Sequence, residues 1–371
     1  MDGRLQDDEV VVGGDARQRY YDARGYGRPL GGNDVALSRV EAAHLLFRGD
    51  LDAVAVPDAA GEERLGFRAF FAYSAHQRDA TEFAARFLVY KDLRDRGFYL
   101  SPDREQWVAT PRPDADFVVY PRGSGPQQGD VLYHVRVVGE RETVAAATLG
   151  DVVLAVVDEE SEITYFETGH PDVGGSTEYE PPTAVSGDLL ADRVLLWDAP
   201  ASLHERGFYG QPLSDSDPNA KTPSALQLSL VEAAYLAGLG VLDIETGYDA
   251  PQAPNGSSYD AIVERGQAVE GERFDRRLGV YAELRARAVV PKTGFKFGAD
   301  FRTYADVESV TELGHSELLV RVLPPTFSFA PRDLSLDVRL AHGVRKRMTF
   351  ATADPSDGTD ITWLSIGRLT P

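Results

Sequence analysis

The 371 residues include no cysteine, which excludes disulfides and thiolate metal sites. Lysine is almost as scarce, occurring only as Lys91, Lys221, Lys292, Lys296 and Lys346. No run approaches the roughly 18 apolar residues needed to span a bilayer. The stretch Met1-Asp-Gly-Arg-Leu-Gln-Asp-Asp-Glu9 is acidic and polar, without the basic and apolar regions of a secretory leader. Together these absences lead to the expectation of a cytoplasmic protein. No glycine-rich loop of the P-loop type appears, so nucleotide hydrolysis is not supported.

What the chain does have is acid. Lys and Arg total 38 against 59 Asp and Glu, a formal charge of −21. Acidic residues in excess, with Arg replacing Lys, point to a very salty cytoplasm rather than an ordinary acidic protein. Such a charge argues against nucleic acid in ordinary buffer. At molar salt, however, the Debye length falls to about 3 Å and long-range repulsion fades. Recognition of an anionic partner would then rest on short-range contacts rather than counterion release.

The sequence also repeats itself. Leu37-Ser-Arg-Val-Glu-Ala-Ala-His44 matches Leu228-Ser-Leu-Val-Glu-Ala-Ala-Tyr235, and Val89-Tyr-Lys-Asp-Leu-Arg-Asp-Arg96 matches Val280-Tyr-Ala-Glu-Leu-Arg-Ala-Arg287 at the same offset. Asp114-Ala-Asp-Phe-Val-Val-Tyr120 matches Gly298-Ala-Asp-Phe-Arg-Thr-Tyr304, and Arg24-Gly-Tyr-Gly-Arg-Pro-Leu30 resembles Arg206-Gly-Phe-Tyr-Gly-Gln-Pro-Leu213. Four ordered matches define a tandem duplication of a unit of roughly 180 residues.

Within each unit the patterns change character. Glu9 to Val12 reads as a strand. Ser38 with Glu41, and Ser229 with Glu232, carry the capping-box signature of a helix start. Helical patterns follow from Glu82 to Arg96 and from Phe274 to Arg287. Strands come next: Phe117 to Tyr120, Tyr133 to Val138 and Glu162 to Phe166. The expected fold is α/β (α+β), each repeat a small helix-rich N-subdomain followed by a mixed-sheet, nuclease-like C-subdomain. The expected boundaries are 1–80, 81–168, a Gly-, Pro- and acid-rich linker at 169–190, then 191–271 and 272–371. In the last segment the sequence predicts strands at Phe301 to Tyr304, Leu318 to Leu323, Met348 to Phe350 and Ile361 to Ser365, with an acidic loop between the final two. It predicts a helix from Asp333 to Arg347, with Leu336, Leu340 and Val344 as its core face. Arg339, His342 and Lys346 form another stripe.

Tyr304, His315 and Lys346 each stand near the edge of one of these elements. Taken singly, each has a plain reading: a half-buried packing tyrosine, a surface histidine, a lysine near a helix C-terminus. As a set they suit metal-free cleavage of RNA, whose 2′-hydroxyl is its own nucleophile. Histidine titrates nearest neutrality and suits a proton donor. A lysine is a point charge for the phosphorane oxygens. Tyrosine, with an ordinary pKa near 10, is an awkward base that needs nearby cations or acts by orientation. His342 competes with His315 for the histidine role.

Lys292-Thr-Gly-Phe-Lys-Phe-Gly298, Asp300-Phe-Arg-Thr-Tyr304, Gly314-His315 and Arg339-Leu-Ala-His-Gly-Val-Arg-Lys346 resemble the motifs of the archaeal tRNA-splicing (tRNA-intron) endonucleases. With both halves counted, the resemblance covers almost the whole chain and is to the two-repeat, homodimeric subgroup. It implies Tyr304 as general base, His315 as general acid and Lys346 as transition-state stabiliser, with no metal and no cofactor. It implies that Arg339 and Arg368 bind RNA by sandwiching a bulged base, a contact that survives high salt. The implied substrate is the bulge–helix–bulge of intron-containing pre-tRNA, and the implied products carry a 2′,3′-cyclic phosphate and a 5′-hydroxyl.

The first repeat keeps Tyr120. Aligning Val135 with Val320 sets Asp130 opposite His315, and aligning Val157 with Val344 sets Glu159 opposite Lys346. The first unit therefore reads as a degenerate, structural copy, leaving one live site per chain and two chains for two cuts. The resemblance further implies that an acidic loop, here Asp158-Glu-Glu-Ser-Glu162, docks on a basic groove of the partner subunit. Two other readings stay open: a metal-dependent nuclease using Asp114 and Asp116, though no E-x-K partner follows them, and a non-catalytic RNA-binding or assembly subunit.

Overall fold

The computed structural model describes residues 1–58, 61–77, 80–182, 184–213, 225–245, 257–353 and 361–371. The chain forms two compact units: residues 1–169 with 328–335 and 366–371, and residues 170–327 with 336–365. Among the described residues no helix is long and apolar enough to cross a membrane.

The first unit opens with a mixed six-stranded sheet. In spatial order its strands are Arg28–Pro29, Val35–Ser38, Glu9–Val12, Asp2–Gln6, Ala53–Asp58 and Gly61–Leu65. The helix Arg39–Arg48 starts where the sequence pattern puts it. The Ser38 hydroxyl accepts from the Glu41 N–H, and the Glu41 carboxylate accepts from the Ser38 N–H, so two orphan donors of the first turn are satisfied reciprocally. It ends at Gly49 with φ +72°, a left-handed cap that suits glycine. Helices Phe67–His76 and Ala80–Asp95 follow, with Phe67, Phe71 and Phe87 packing ring to ring. Five further strands complete the unit, side by side in the order Leu100–Pro102, Phe117–Val119, Tyr133–Gly139, Val153–Val157 and Ile163–Gly169.

The second unit repeats the plan. Its first sheet runs Gln211–Pro212, Ala225–Ser229, Arg193–Trp197, Val185–Leu189 and Leu242–Ile244. Each N-subdomain thus has a mixed sheet beside its helices, of which the sequence reading had named one strand. The Ser229–Glu232 capping box opens the helix Leu230–Gly238. Helices Ser258–Glu270 and Glu272–Ala286 lead into the second sheet. There Val290–Thr293, Phe301–Tyr304, Leu318–Leu323, Arg347–Thr352 and Thr362–Leu369 lie side by side. The acidic loop expected between the last two strands falls at 354–360, outside the described residues.

The helix before Arg347–Thr352 departs from expectation. It spans Pro331–Gly343, and its buried side chains are Leu334, Val338 and Ala341. Leu336, Leu340 and Val344 are 45%, 48% and 41% exposed, so the expected core face is an outward one. The helix carries two apolar stripes on different sides, and periodicity alone does not say which one is buried. Because the helix stops at Gly343, Lys346 is not part of the Arg339–His342 stripe.

Glu232 does more than cap a helix. Its carboxylate also accepts from the Gly210 N–H at 3.0 Å and pairs with Lys292 Nζ at 2.7 Å. Lys292 Nζ donates as well to the carbonyls of Phe208 and Gly210, both at 3.1 Å, joining the N-subdomain of this unit to its sheet. Burial pushes the Glu232 carboxyl up, but Lys292 and the hydrogen bonds outweigh it and hold the group down to about 2. The equivalent Glu41 accepts from Gly27 and Ser38 with no lysine beside it, and burial leaves its carboxyl raised.

K292M should therefore strand a buried carboxylate and destabilise the second unit by roughly 3–5 kcal/mol, measured by chemical denaturation at fixed KCl. A depressed folded pKa contributes stability above the unfolded value near 4.5, and that contribution is lost as pH falls toward 2. Wild type should lose this contribution on acidification. In K292M, where burial would raise the carboxyl as it does Glu41, the sign should reverse, with stability falling as pH rises above the unfolded value near 4.5.

Candidate active site

Three strand ends meet at one edge of the second unit's sheet. Phe301–Tyr304 runs antiparallel to Leu318–Leu323, with Phe301 opposite Val320 and Arg302 opposite Leu319. Leu318–Leu323 runs parallel to Arg347–Thr352, with Leu318 opposite Arg347. The last residue of the first strand therefore shares an edge with the residues just before the other two. Those positions are Tyr304, His315 and Lys346. The ladder continues past the strand ends: the Glu317 N–H donates to the Thr303 carbonyl at 3.2 Å, and the Arg347 N–H donates to the Glu317 carbonyl at 3.1 Å.

Each side chain has a distinct environment. Tyr304 is 8% exposed and packs on Phe208 at 5.5 Å between ring centroids, in a small apolar cluster with Val290 and Val307. His315 is exposed. Lys346 is half-buried. Its Nζ donates to the Ser316 carbonyl at 2.5 Å and to the Ser316 hydroxyl, which holds it against the residue following His315. Burial lowers the Lys346 pKa, and the positive charge of Arg302 lowers it further. His342 is exposed at the end of its helix.

Ser316 and Arg302 were not singled out from the sequence. Arg302 sits two residues before Tyr304, on the same strand face, with its guanidinium 5.7 Å from the Tyr304 ring. Its Nε is buried without a hydrogen-bond partner. The only sequence signal for Arg302 was an arginine alternating with the tyrosine on one strand.

Arg339 is exposed on the helix that leads into Lys346, seven residues earlier. Arg368 is exposed near the end of the last strand, among residues that belong to the first unit, and so is not grouped with the other four.

The first repeat supplies an internal comparison. Phe117 pairs with Val135 as Phe301 pairs with Val320, so Tyr120 corresponds to Tyr304. The Leu132 N–H donates to Val119 as the Glu317 N–H does to Thr303, so Asp130 corresponds to His315. On the parallel side Val135 pairs with Val153, whereas Val320 pairs with Thr349. Counting back three residues gives Gly150, not Glu159, as the counterpart of Lys346. Glu159 lies beyond the far end of its strand, bonded to Arg141 at 2.5 Å. The alignment slipped because the first repeat has only the short strand Val144–Ala145 and one turn of helix where the second has Pro331–Gly343. Tyr120 donates to the Ser101 hydroxyl at 3.1 Å. The first repeat thus lacks both the cation and the histidine.

Asp116 does not stand free for a metal. It pairs with Arg86 at 2.5 Å and accepts from the Val137 N–H at 2.7 Å. Asp300 does the same with Arg273 and the Val322 N–H.

Comparison with known proteins agrees with this architecture. The family model described as tRNA intron endonuclease, catalytic C-terminal domain, matches residues 274–363, and the model of the N-terminal domain matches 1–71 and again 185–250. A tRNA-splicing endonuclease of Halobacterium salinarum is 57% identical over 371 residues, covering 100% of both chains. One from Haloarcula marismortui is 54% identical, again over 100% of each. One from Methanosarcina mazei is 39% identical over 99% of this chain and 98% of its own. The chain belongs to the tRNA-splicing endonuclease family, and it is an enzyme of that family.

The Lys346 environment gives a direct test. R302M removes the nearby positive charge, so the Lys346 pKa should move upward. With five lysines in the chain, side-chain carbon NMR of selectively labelled protein can follow it. An unchanged Lys346 titration would show that Arg302 does not act on it.

Proposed function

We propose that the protein cuts intron-containing pre-tRNA at a bulge–helix–bulge, without metal or cofactor, leaving a 2′,3′-cyclic phosphate and a 5′-hydroxyl. The observation that carries this reading is the convergence of the Tyr304, His315 and Lys346 strand ends on one sheet edge. Tyr304 takes the proton from the 2′-hydroxyl, and the freed oxygen attacks the adjacent phosphorus. His315, exposed and free to reach the leaving group, gives a proton to the departing 5′-oxygen. Lys346, fixed by Ser316, faces the charge that develops on the phosphorane oxygens. Arg302 holds its guanidinium over the Tyr304 ring. Arg339 and Arg368 bind RNA by stacking on a bulged base.

Two cuts require two live sites, and the first repeat has none, so the working form is a homodimer. An approximate two-fold in the substrate matches a two-fold in the enzyme. The turn at 158–162 suits docking. Asp158 Oδ1 accepts from the N–H groups of Glu160 and Glu162 at 3.0 and 2.8 Å, which stiffens the turn while Glu159, Glu160 and Glu162 point outward. The high acid content and the haloarchaeal relatives fit work in a salty cytoplasm.

The test is cleavage of a bulge–helix–bulge RNA at high KCl with EDTA, beside a copy carrying 2′-deoxy at the cut sites. Only the first should be cut, with cyclic-phosphate ends. Cleavage of both, or loss of activity with EDTA, would return the metal-nuclease reading. H315A should cut at least 100-fold more slowly while binding RNA as wild type does. A variant that loses binding as well would make His315 a structural residue.

A further inference from the structure

Phe295 is 86% exposed, and the next most exposed large apolar side chain among the described residues is Leu213 at 54%. A bare phenyl ring in water is unfavourable by itself, yet the turn that holds it is rigid. The Phe295 N–H donates to the Thr293 hydroxyl at 3.3 Å. The Phe297 N–H donates to the Gly294 carbonyl at 2.8 Å, the Gly298 N–H to Phe295 at 3.1 Å, and the Gly294 N–H to Asp300 at 3.1 Å. A Cβ on Gly294 would meet the Ala299 carbonyl at 2.8 Å, and Gly298 has φ +69°, so both glycines are needed for this shape. The ring is held out by a closed turn rather than left out by a floppy one.

The turn lies beside the candidate active site. Its second ring, Phe297, is 5.8 Å from Lys346 Nζ. Two residues of chain separate Phe295 from Phe297 by no more than about 7 Å of backbone. Exposed Lys296 stands between them. In the first repeat, which lacks the histidine and the lysine, the turn after Pro102 is built differently, with the Trp107 N–H on the Arg104 carbonyl at 3.2 Å. The segment after Pro102 instead buries its aromatic, Trp107. The exposed ring thus accompanies the repeat that keeps the trio.

We propose that Phe295 is a stacking platform for an unpaired base of the RNA substrate, next to the scissile phosphate. This rests on the RNA-cleaving reading above. A base presents an apolar face that needs no counterion release, so the contact persists where salt weakens phosphate contacts. That is the kind of contact a chain of charge −21 needs for binding a polyanion.

The experiment compares wild type, F295A, F295Y and F295L on a bulge–helix–bulge RNA with 2-aminopurine at each bulge position in turn, at 1 and 3 M KCl. F295A should raise KM roughly 10-fold with kcat within about threefold, and the loss should be the same at both salts. F295Y should restore binding, F295L should not, and only wild type and F295Y should quench one 2-aminopurine. Wild-type cleavage tests the enzymatic reading separately, because quenching is read with or without cutting. Full binding by F295L, or no quenching by wild type, overturns the proposal. So does an F295A chain that binds RNA normally but fails to dimerise in sedimentation, which would make Phe295 a subunit contact.

Discussion

The strand Leu318–Leu323 is the constraint on which the site depends. It pairs antiparallel on one side and parallel on the other, and its interior residues Leu319 and Val320 are fully buried. A slip of one residue on either side would turn every side chain of that neighbour to the opposite face. The hydrophobic core therefore fixes the register, and the register fixes which residues stand at the edge. The geometry of the candidate site is thus set in part by burial some residues away. Tyr304 ends its strand, and His315 and Lys346 precede theirs.

The duplication shows what this scaffold needs and what it can lose. Both copies keep the capping box, the buried glutamate, the aspartate that pairs with arginine and accepts a strand N–H, and the tyrosine at the strand end. One copy has lost the lysine under its glutamate, the histidine, the cation and the helix that carries Arg339. Apart from the tyrosine, the shared features belong to folding; of the unshared ones the histidine, the cation and the helix sort with the proposed chemistry, while Lys292 belongs to folding in one copy alone. Glu41 and Glu232 make the point in a single pair: the same backbone cradle holds a carboxyl with its pKa raised in one copy and depressed in the other, because only one has Lys292.

Legibility from sequence followed the range of each interaction. Capping boxes were readable because they span three residues. The strands Phe301–Tyr304 and Leu318–Leu323 were readable because short runs rich in aromatic, aliphatic and β-branched residues, bounded by turn residues, mark strands. The family was readable through its motifs. The buried face of Pro331–Gly343 was not, since Leu336, Leu340 and Val344 offered a stripe as regular as the one that packs. The counterpart of Lys346 was misplaced by an internal deletion that only a strand register exposes. Ser316, Arg302 and the Lys292–Glu232 pair act across strands or across tens of residues, and nothing local announces such contacts.

The segment expected to be a loose linker has a different character near its middle. The Gly175 N–H donates to Arg287, Ser176 to Ala305 and Thr177 to Ala288, at 2.9, 2.7 and 3.0 Å. A Cβ on Gly175 would meet two carbonyl oxygens at 2.4 Å, so the chain passes there flush against the backbone next to Tyr304. Gly175 is less a hinge than a clasp on the strand that ends in Tyr304. A gene cut into two halves before His170 would leave the clasp with the half that carries the trio. A cut after Pro182 would hand it to the other half, and the tyrosine strand would then lose its lateral support unless the two products found each other again.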